Sequence, residues 1–279
     1  MTDAPRWHLS GFGDEIDADP RVQVAVLQAL GARHLEVRSA WGTNVADLTD
    51  AQVRELAQIL DAAEHRVSAI GSPIGKVDIS EAAGEVARLR RIAEIAHTLD
   101  TRYVRIFSFY RAEGVTPEQI RDDVIAALTE LAGVAEDEGL VLLHENEKDI
   151  YGDTPDRVAD LARHVSSPAF RLAWDAANFV QVGARPHTDG WAELAPHVEY
   201  LQVKDADLAT GAVRPAGDGD GEVEATVRAL AASGYAGFAS LEPHLTEAGR
   251  MGGFSGPAAF GVAARAFARI TDRVGVQLV

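Results

Sequence analysis

The chain has 279 residues, of which 47% are hydrophobic, enough to build a sizeable core. Its 43 acidic and 26 basic residues give a formal net charge of −17, and so acidic a surface repels nucleic acids and anionic membranes. The absence of cysteine excludes disulfides and thiolate metal ligands. No run approaches the roughly 18 apolar residues of a membrane span, and the N-terminus shows no secretory pattern, so we expect a cytoplasmic protein.

Hydrophobic periodicity and turn signals predict strands that alternate with helices along the whole chain. Asp19 and Pro20, for example, form the expected start of the first helix. Strands are predicted at 7–13, 34–38, 66–70, 102–107, 140–143, 170–175, 198–205 and 238–242. Helices are predicted at 20–30, 50–64, 80–99, 117–138, 153–164, 191–194, 223–233 and 257–272.

Eight strand–helix pairs without a linker or a second core predict an α/β protein of one domain, residues 1–279. Parallel strands joined by right-handed helical connections close into a (β/α)8 TIM barrel at this number of units. A doubly wound open sheet is the second choice, because the first strand lacks the glycine-rich turn that holds a dinucleotide.

The most informative stretch is 140–147, where four apolar residues are followed at once by His144, Glu145, Asn146 and Glu147. Four apolar residues in a row are typical of a strand that is buried on both faces. A packed core could not hold the polar groups that follow without partners. The stretch therefore predicts a buried strand whose carboxyl end carries its polar side chains into a pocket.

Three later strands end in the same way, one at Asp175, one at Gln202 and Lys204, and one at Glu242. In a TIM barrel the carboxyl ends of all strands lie on the face where active sites are found. We therefore expect these side chains to meet Glu145 at one site.

Glu145, Asp175, Gln202 and Glu242 offer three carboxylates and one amide oxygen. These hard ligands suit Mg²⁺ or Mn²⁺. Packed together, three negative charges raise one another's pKa values, and a divalent cation would relieve that repulsion. The alternative is that these residues form salt bridges with Arg38, Arg105 or Lys204 at the barrel mouth. The expected cofactor is one divalent metal ion: Mn, Mg, Zn or Co.

The pattern resembles the xylose isomerase-like TIM barrel superfamily, which holds sugar isomerases, ketose 3-epimerases, hydroxypyruvate isomerase and the endonuclease IV group. The resemblance covers nearly the whole chain, and its motifs are specific for the superfamily as a set. The matching segments are 144–147 (His-Glu-Asn-Glu), 174–178 (Trp-Asp-Ala-Ala-Asn), 202–205 (Gln-Val-Lys-Asp) and 240–244 (Ser-Leu-Glu-Pro-His).

In that family Glu, Asp, His and Glu on four strands hold one divalent metal, and the two glutamates form the acid/base pair. The resemblance implies that Glu145 and Glu242 are ligands and proton carriers and that Asp175 is a ligand. The chain departs from the family at two positions. Gln202 stands where the family usually has histidine, and Asn178 stands where many sugar epimerases have histidine.

The predicted activity is isomerisation or epimerisation of a small sugar or hydroxy-carbonyl compound. A metal that bridges a carbonyl and the adjacent hydroxyl stabilises the enediolate formed by proton removal. Return of the proton to the neighbouring carbon gives isomerisation, and return from the opposite face gives epimerisation. Both outcomes stay open.

Further residues near the strand ends are candidates for the site. Lys204 can polarise a carbonyl or pair with a neighbouring carboxylate, and we group it with the catalytic residues. Lys76, in the loop after the third strand, could meet an anionic substrate. The candidates for binding a sugar-like substrate are Glu36, Arg38, Trp41, Glu147, Asn178 and His244.

Two other functions fit the same scaffold. Metal-assisted elimination would make the protein a lyase or dehydratase that acts on an oxidised sugar or glycoside. A catalytically silent sugar-binding barrel is favoured by Gln202 and Asn178. Endonuclease IV-like repair is disfavoured, because its zinc site is rich in histidine and its DNA-binding face is basic. The last helix can cover the barrel or face a partner subunit, which allows a homodimer or a homotetramer.

Overall fold

Eight parallel strands form the centre of the molecule in a computed structural model that describes residues 4–249 and 252–279. The strands are β1 Arg6–Gly11, β2 His34–Val37, β3 Arg66–Gly71, β4 Tyr103–Ile106, β5 Val141–Glu145, β6 Phe170–Asp175, β7 Val198–Val203 and β8 Phe238–Leu241. In sheet order β1 pairs with β8, and β8 to β2 then follow in descending order. A parallel bridge between Phe12 and Glu36 joins the β1 edge to the β2 edge and closes the barrel.

Helices follow the strands and cover the barrel from outside. Many of them start where the sequence offers a cap: the Asp19 side chain accepts a hydrogen bond from the N–H of Arg21, and Thr49 and Gln52 form a capping box. The helices are α1 Pro20–Ala29, α2 Asp50–Ala62, α3 Glu85–Thr98, α4 Pro117–Asp137, α5 Pro155–His164, α6 Ala176–Gln181, α7 Pro186–Leu194, α8 Val223–Ala232 and α9 Gly256–Val274. The predicted α/β TIM barrel is confirmed.

Two predicted elements differ from the structure. The single short helix expected at 191–194 is α7, which starts earlier at Pro186, and α6 precedes it. α6 is too short to show helical periodicity, and it begins because the Asp175 side chain caps it through the N–H of Asn178. The predicted helix at 80–99 begins as a 3₁₀ turn, Ile79–Gly84, before α3.

The core lies between the barrel and its helices, as a cluster of buried hydrophobic residues that extends from Trp7 to Val276. Inside the barrel, Ala69, Leu143, Ala173 and Tyr200 form a small separate cluster. Within the described residues, no helix is both long enough and apolar enough to cross a membrane.

Candidate active site

Three carboxylates meet at the carboxyl end of the barrel: Glu145 ends β5, Asp175 ends β6, and Glu242 directly follows β8. One oxygen of each lies within 4.8 Å of the others, and all three side chains are buried. We call Glu145, Asp175 and Glu242 the carboxylate cluster. The sequence-based expectation that these strand ends converge agrees with this geometry.

Three cations contact the carboxylate cluster directly. The Lys204 Nζ lies 2.9 Å from Asp175 Oδ2 and 3.0 Å from Glu242 Oε2. Arg105 and Arg38 each donate from Nη1 over 2.7 Å, Arg105 to Glu145 Oε2 and Arg38 to Glu242 Oε1. All three cationic side chains are almost completely buried, so these contacts are shielded from solvent.

The charges around each group set its preferred protonation state. Burial disfavours ionisation of Glu242, but Lys204, His244 and Arg38 together hold the pKa of Glu242 well below its usual range. Burial also disfavours the charged form of Lys204, yet Asp175 and Glu242 raise the pKa of Lys204 well above its ordinary value. Glu242 is therefore a carboxylate, and Lys204 an ammonium, at neutral pH.

Asp175 has the opposite tendency. Burial, together with the negative charges of Glu145 and Glu242, raises the pKa of Asp175 to about 7 against the attraction of Lys204. The carboxylate cluster therefore keeps part of its mutual repulsion even with Lys204 in place.

Asn178 and Gln202 hold Glu145 through their side-chain amides, and Asn178 also holds Asp175 through its backbone. Asn178 donates from Nδ2 to Glu145 Oε1 over 3.0 Å, and from its backbone N–H to Asp175 Oδ1 over 2.8 Å. The Gln202 side chain satisfies its surroundings when its nitrogen donates to both Glu145 oxygens, at 3.2 and 3.3 Å. Rotating that amide by half a turn would present the Gln202 oxygen to a cation bound at the cluster.

His244 lies beside Glu242 in a left-handed backbone conformation with φ of +47°. Its Nε2 is 2.9 Å from Glu15 Oε1 and 3.3 Å from Glu242 Oε1. Glu15 is fully buried, and its Oε2 accepts hydrogen bonds from the His244 N–H and from Ser255 Oγ. Glu15 thus holds the imidazole against Glu242.

The other predicted substrate-binding residues lie at different depths. Arg38 also donates from Nε to Asp14 over 2.8 Å. Glu36 lies inside the barrel, where the Tyr200 hydroxyl donates to it over 2.9 Å. Trp41 is half-buried against the hydrophobic core. The substrate-binding roles assigned to these residues remain predictions.

The donor set fits a divalent cation. The cluster supplies three carboxylate oxygens at close range, and the Gln202 amide faces it, which is the hard-ligand chemistry of Mg²⁺ and Mn²⁺. Among the described residues at the mouth, six carboxylates face four lysine and arginine side chains and His244. The carboxylates are Asp14, Glu15, Glu145, Glu147, Asp175 and Glu242, and the cations are Arg38, Lys76, Arg105 and Lys204.

The sequence analysis assigned Glu15 no role in the site and Arg105 only that of a possible salt-bridge partner of the strand-end carboxylates. A signal for each was present: Glu15 comes shortly after β1, and Arg105 lies on β4 with its side chain on the interior side. Which carboxylate each one would contact depends on barrel geometry, which the sequence does not specify.

A family model described as a xylose isomerase-like TIM barrel matches residues 24–266. The chain belongs to this family. Similar solved structures include a xylose isomerase-like TIM barrel protein from Mycobacterium smegmatis, in complex with magnesium. It is 21% identical, with 99% of each chain covered and a TM-score of 0.69. A D-tagatose 3-epimerase-like protein is 15% identical, over 96% of this chain and 98% of its own, with a TM-score of 0.78.

A curated relative in sequence is the 2-epi-5-epi-valiolone 7-phosphate 2-epimerase of Actinoplanes sp. (strain ATCC 31044 / CBS 674.73 / SE50/110). The two are 34% identical over 148 residues, 52% of each chain. The match therefore spans about half the length of this relative.

Proposed function

We propose that the protein is a divalent-metal-dependent isomerase or epimerase of a small sugar or hydroxy-carbonyl compound. The observation that carries the proposal is the carboxylate cluster, whose oxygens lie within 4.8 Å of one another at three strand ends. The epimerase name of the curated relative and the magnesium bound by a structural neighbour support it.

In this proposal Glu145, Asp175, Gln202 and Glu242 hold the metal ion. When bound, the ion supplies electrophilic stabilisation to a substrate carbonyl and its adjacent hydroxyl. Lys204 orients Asp175 and Glu242 and favours the ionised form of each, since its ammonium contacts both.

Glu145 and Glu242 are the proposed proton carriers. Glu242 is ionised at neutral pH and can accept a proton from the carbon next to the carbonyl. Arg105 and Asn178 hold Glu145, and Arg38 and His244 hold Glu242, so the two carboxylates keep fixed positions around the substrate. Return of the proton to the neighbouring carbon would give isomerisation, and its return to the same carbon from the opposite face, by the other glutamate, would give epimerisation.

The test combines metal content with proton exchange. Purified protein is stripped with chelator, reloaded with Mn²⁺ or Mg²⁺, and assayed by elemental analysis. We expect about one ion per chain, little in Glu145→Gln, and full occupancy in the surface control Glu64→Gln. The loaded protein is then incubated with ketoses in D₂O, and NMR follows deuterium incorporation next to the carbonyl.

The absence of metal after reloading would contradict the proposal. It would favour a silent sugar-binding barrel, a function that has support in the geometry because Lys204, Arg38 and Arg105 already neutralise the cluster. Metal binding with release of a leaving group from an oxidised glycoside, but without exchange on free ketoses, would select the lyase alternative.

A further inference from the structure

The loop after β3 carries Lys76 on a fixed backbone. Phe107 donates its N–H to the Ile74 carbonyl over 2.9 Å, which ties this loop to the end of β4. Gly75 has φ of +81°, and a Cβ there would lie 2.2 Å from the Phe107 carbonyl oxygen, so only glycine fits. The Gly75 N–H donates to the buried Glu85 over 2.7 Å. Lys76 therefore projects from a rigid position at the barrel mouth.

The Lys76 side chain is only 6% exposed. Its ammonium lies 4.2 Å from the centre of the Phe107 ring and 3.3 Å from Glu147 Oε2. The Arg105 guanidinium lies 4.4 Å from the centre of the same ring, which places Lys76 next to the cation that contacts Glu145. Burial lowers the pKa of Lys76, and Glu147 counteracts this. Burying an ammonium group costs desolvation free energy, and a role in substrate binding would explain why Lys76 is buried at the mouth.

Lys76 and Glu147 together form a donor next to an acceptor. An ammonium group only donates hydrogen bonds and a carboxylate only accepts them, whereas a hydroxyl group does both. The pair therefore matches one or two hydroxyl groups of a polyol. A phosphate or carboxylate group bound to Lys76 would lie beside the Glu147 carboxylate and be repelled by it.

The lysine and arginine side chains named above at the mouth are already paired with carboxylates, which favours the same class of ligand. Each of these four cations contacts at least one carboxylate. A phosphate dianion would have to compete with these carboxylates for the cations, and buried carboxylates left without a partner are costly at low dielectric.

We propose that Lys76 and Glu147 select an uncharged, hydroxyl-bearing end of the substrate, so that the chain acts on a free sugar or cyclitol in preference to its phosphate ester. This inference rests on the proposed function and names the substrate class of that site. It differs from the curated relative, whose name specifies a 7-phosphate.

The first test compares matched substrates on the metal-loaded protein. Deuterium incorporation from D₂O is measured by NMR for D-tagatose against D-tagatose 6-phosphate, and for D-fructose against D-fructose 6-phosphate. We expect kcat/KM for the free sugar to exceed that for the ester by at least about tenfold, and Glu147→Gln to narrow this ratio by about tenfold. A higher kcat/KM for either phosphate ester with the unaltered protein would overturn the inference.

The second test needs no turnover. Inorganic phosphate is titrated calorimetrically into the unaltered protein, Glu147→Gln, Lys76→Met, and the double variant. Phosphate binding to the metal ion is common to all four proteins. The contribution of Lys76 to phosphate affinity is therefore the difference between each protein and its Lys76→Met counterpart. We expect Lys76 to contribute to phosphate binding only in the Glu147→Gln protein, because this substitution retains the size of the side chain and removes its charge. Circular dichroism checks that each variant is folded.

The outcomes separate the two proposals. If no sugar exchanges protons, the proposed function fails, while the titration still decides the role of the pair. Lys76-dependent phosphate binding in the unaltered protein, or no gain of phosphate binding in Glu147→Gln, overturns the selection of an uncharged ligand whatever the activity.

Discussion

Glu36 illustrates how depth in the barrel decides the chemistry of a single residue. Strand periodicity places Glu36 and Arg38 on the same side of β2, so both were expected at the mouth. Arg38 reaches Glu242, whereas Glu36 lies inside the barrel against Tyr200. Burial raises the pKa of Glu36 to about 7, against the attraction of Arg105. The sequence predicts the face of a strand, but how deep a side chain lies depends on barrel closure.

The raised pKa of Glu36 makes stability depend on pH. Below an ordinary pKa of about 4.5, Glu36 is protonated in both the folded and the unfolded chain. As pH rises from there towards 7, the unfolded chain loses its proton first, so the folded state loses stability relative to it. Above pH 7 Glu36 is ionised in both states, and the folded state loses no further stability.

Glu36→Gln removes this dependence, because glutamine has no proton to lose. The free energy of unfolding of the variant, relative to the unaltered protein, should therefore be about 3 kcal/mol higher at pH 8 than at pH 4. Urea unfolding of both proteins at the two pH values measures this difference. If the two proteins differ in free energy of unfolding by the same amount at pH 4 and pH 8, Glu36 has the same pKa in the folded and the unfolded chain.

At the scale of elements, the loop before α8 is organised by one buried carboxylate. Asp205 Oδ2 accepts hydrogen bonds from the N–H groups of Gly217 and Gly219, at 2.8 and 3.2 Å. Its Oδ1 accepts from Gly221 over 2.8 Å and from Ala206 over 2.8 Å. A Cβ at Gly219 or Gly221 would lie 2.5 or 2.6 Å from Asp205 Oδ1, which explains the glycines of this loop.

Asp205→Asn should destabilise the protein by about 2–3 kcal/mol, because an NH₂ group would then face N–H donors inside the loop. Urea unfolding measures the loss, and amide exchange at Gly217, Gly219 and Gly221 should become faster. The control is Asp207→Asn, a half-buried aspartate paired with Arg214 near the surface, with an expected effect within about 0.5 kcal/mol. Equal effects of the two substitutions would contradict the anchoring role of Asp205.

The residues at the strand ends could be predicted best from the sequence. Glu145, Asp175 and Glu242 could be placed together because each follows a buried apolar run, and parallel strands in a barrel share one direction. Arg38 and Arg105 could be named as candidate partners of these carboxylates. Which carboxylate each one contacts could not be predicted, because long side chains at a crowded mouth have several within reach. The same applies to α6, whose start depends on a cap by Asp175 rather than on periodicity.

At the scale of the whole molecule, the mouth and the core are coupled through the strands. The hydrophobic cluster that surrounds the barrel contains residues from nearly every strand and from helices throughout the chain. The carboxylate cluster takes its members from β5, β6 and the end of β8, so it forms only when strands distant in sequence are assembled. An ion held by this cluster would bind the folded chain and not the unfolded one.

Addition of Mn²⁺ should therefore raise the melting temperature of the whole protein. A ligand that binds only the folded state at a free concentration of 100 Kd adds about 2.7 kcal/mol to the free energy of unfolding. Differential scanning calorimetry of chelator-treated protein, with and without Mn²⁺, measures the shift. Glu145→Gln should lose most of it, while Glu64→Gln should retain it. If Mn²⁺ left the melting temperature unchanged, the three carboxylates would be neutralised by Lys204, Arg38 and Arg105 alone. That result would contradict the metal-dependent mechanism.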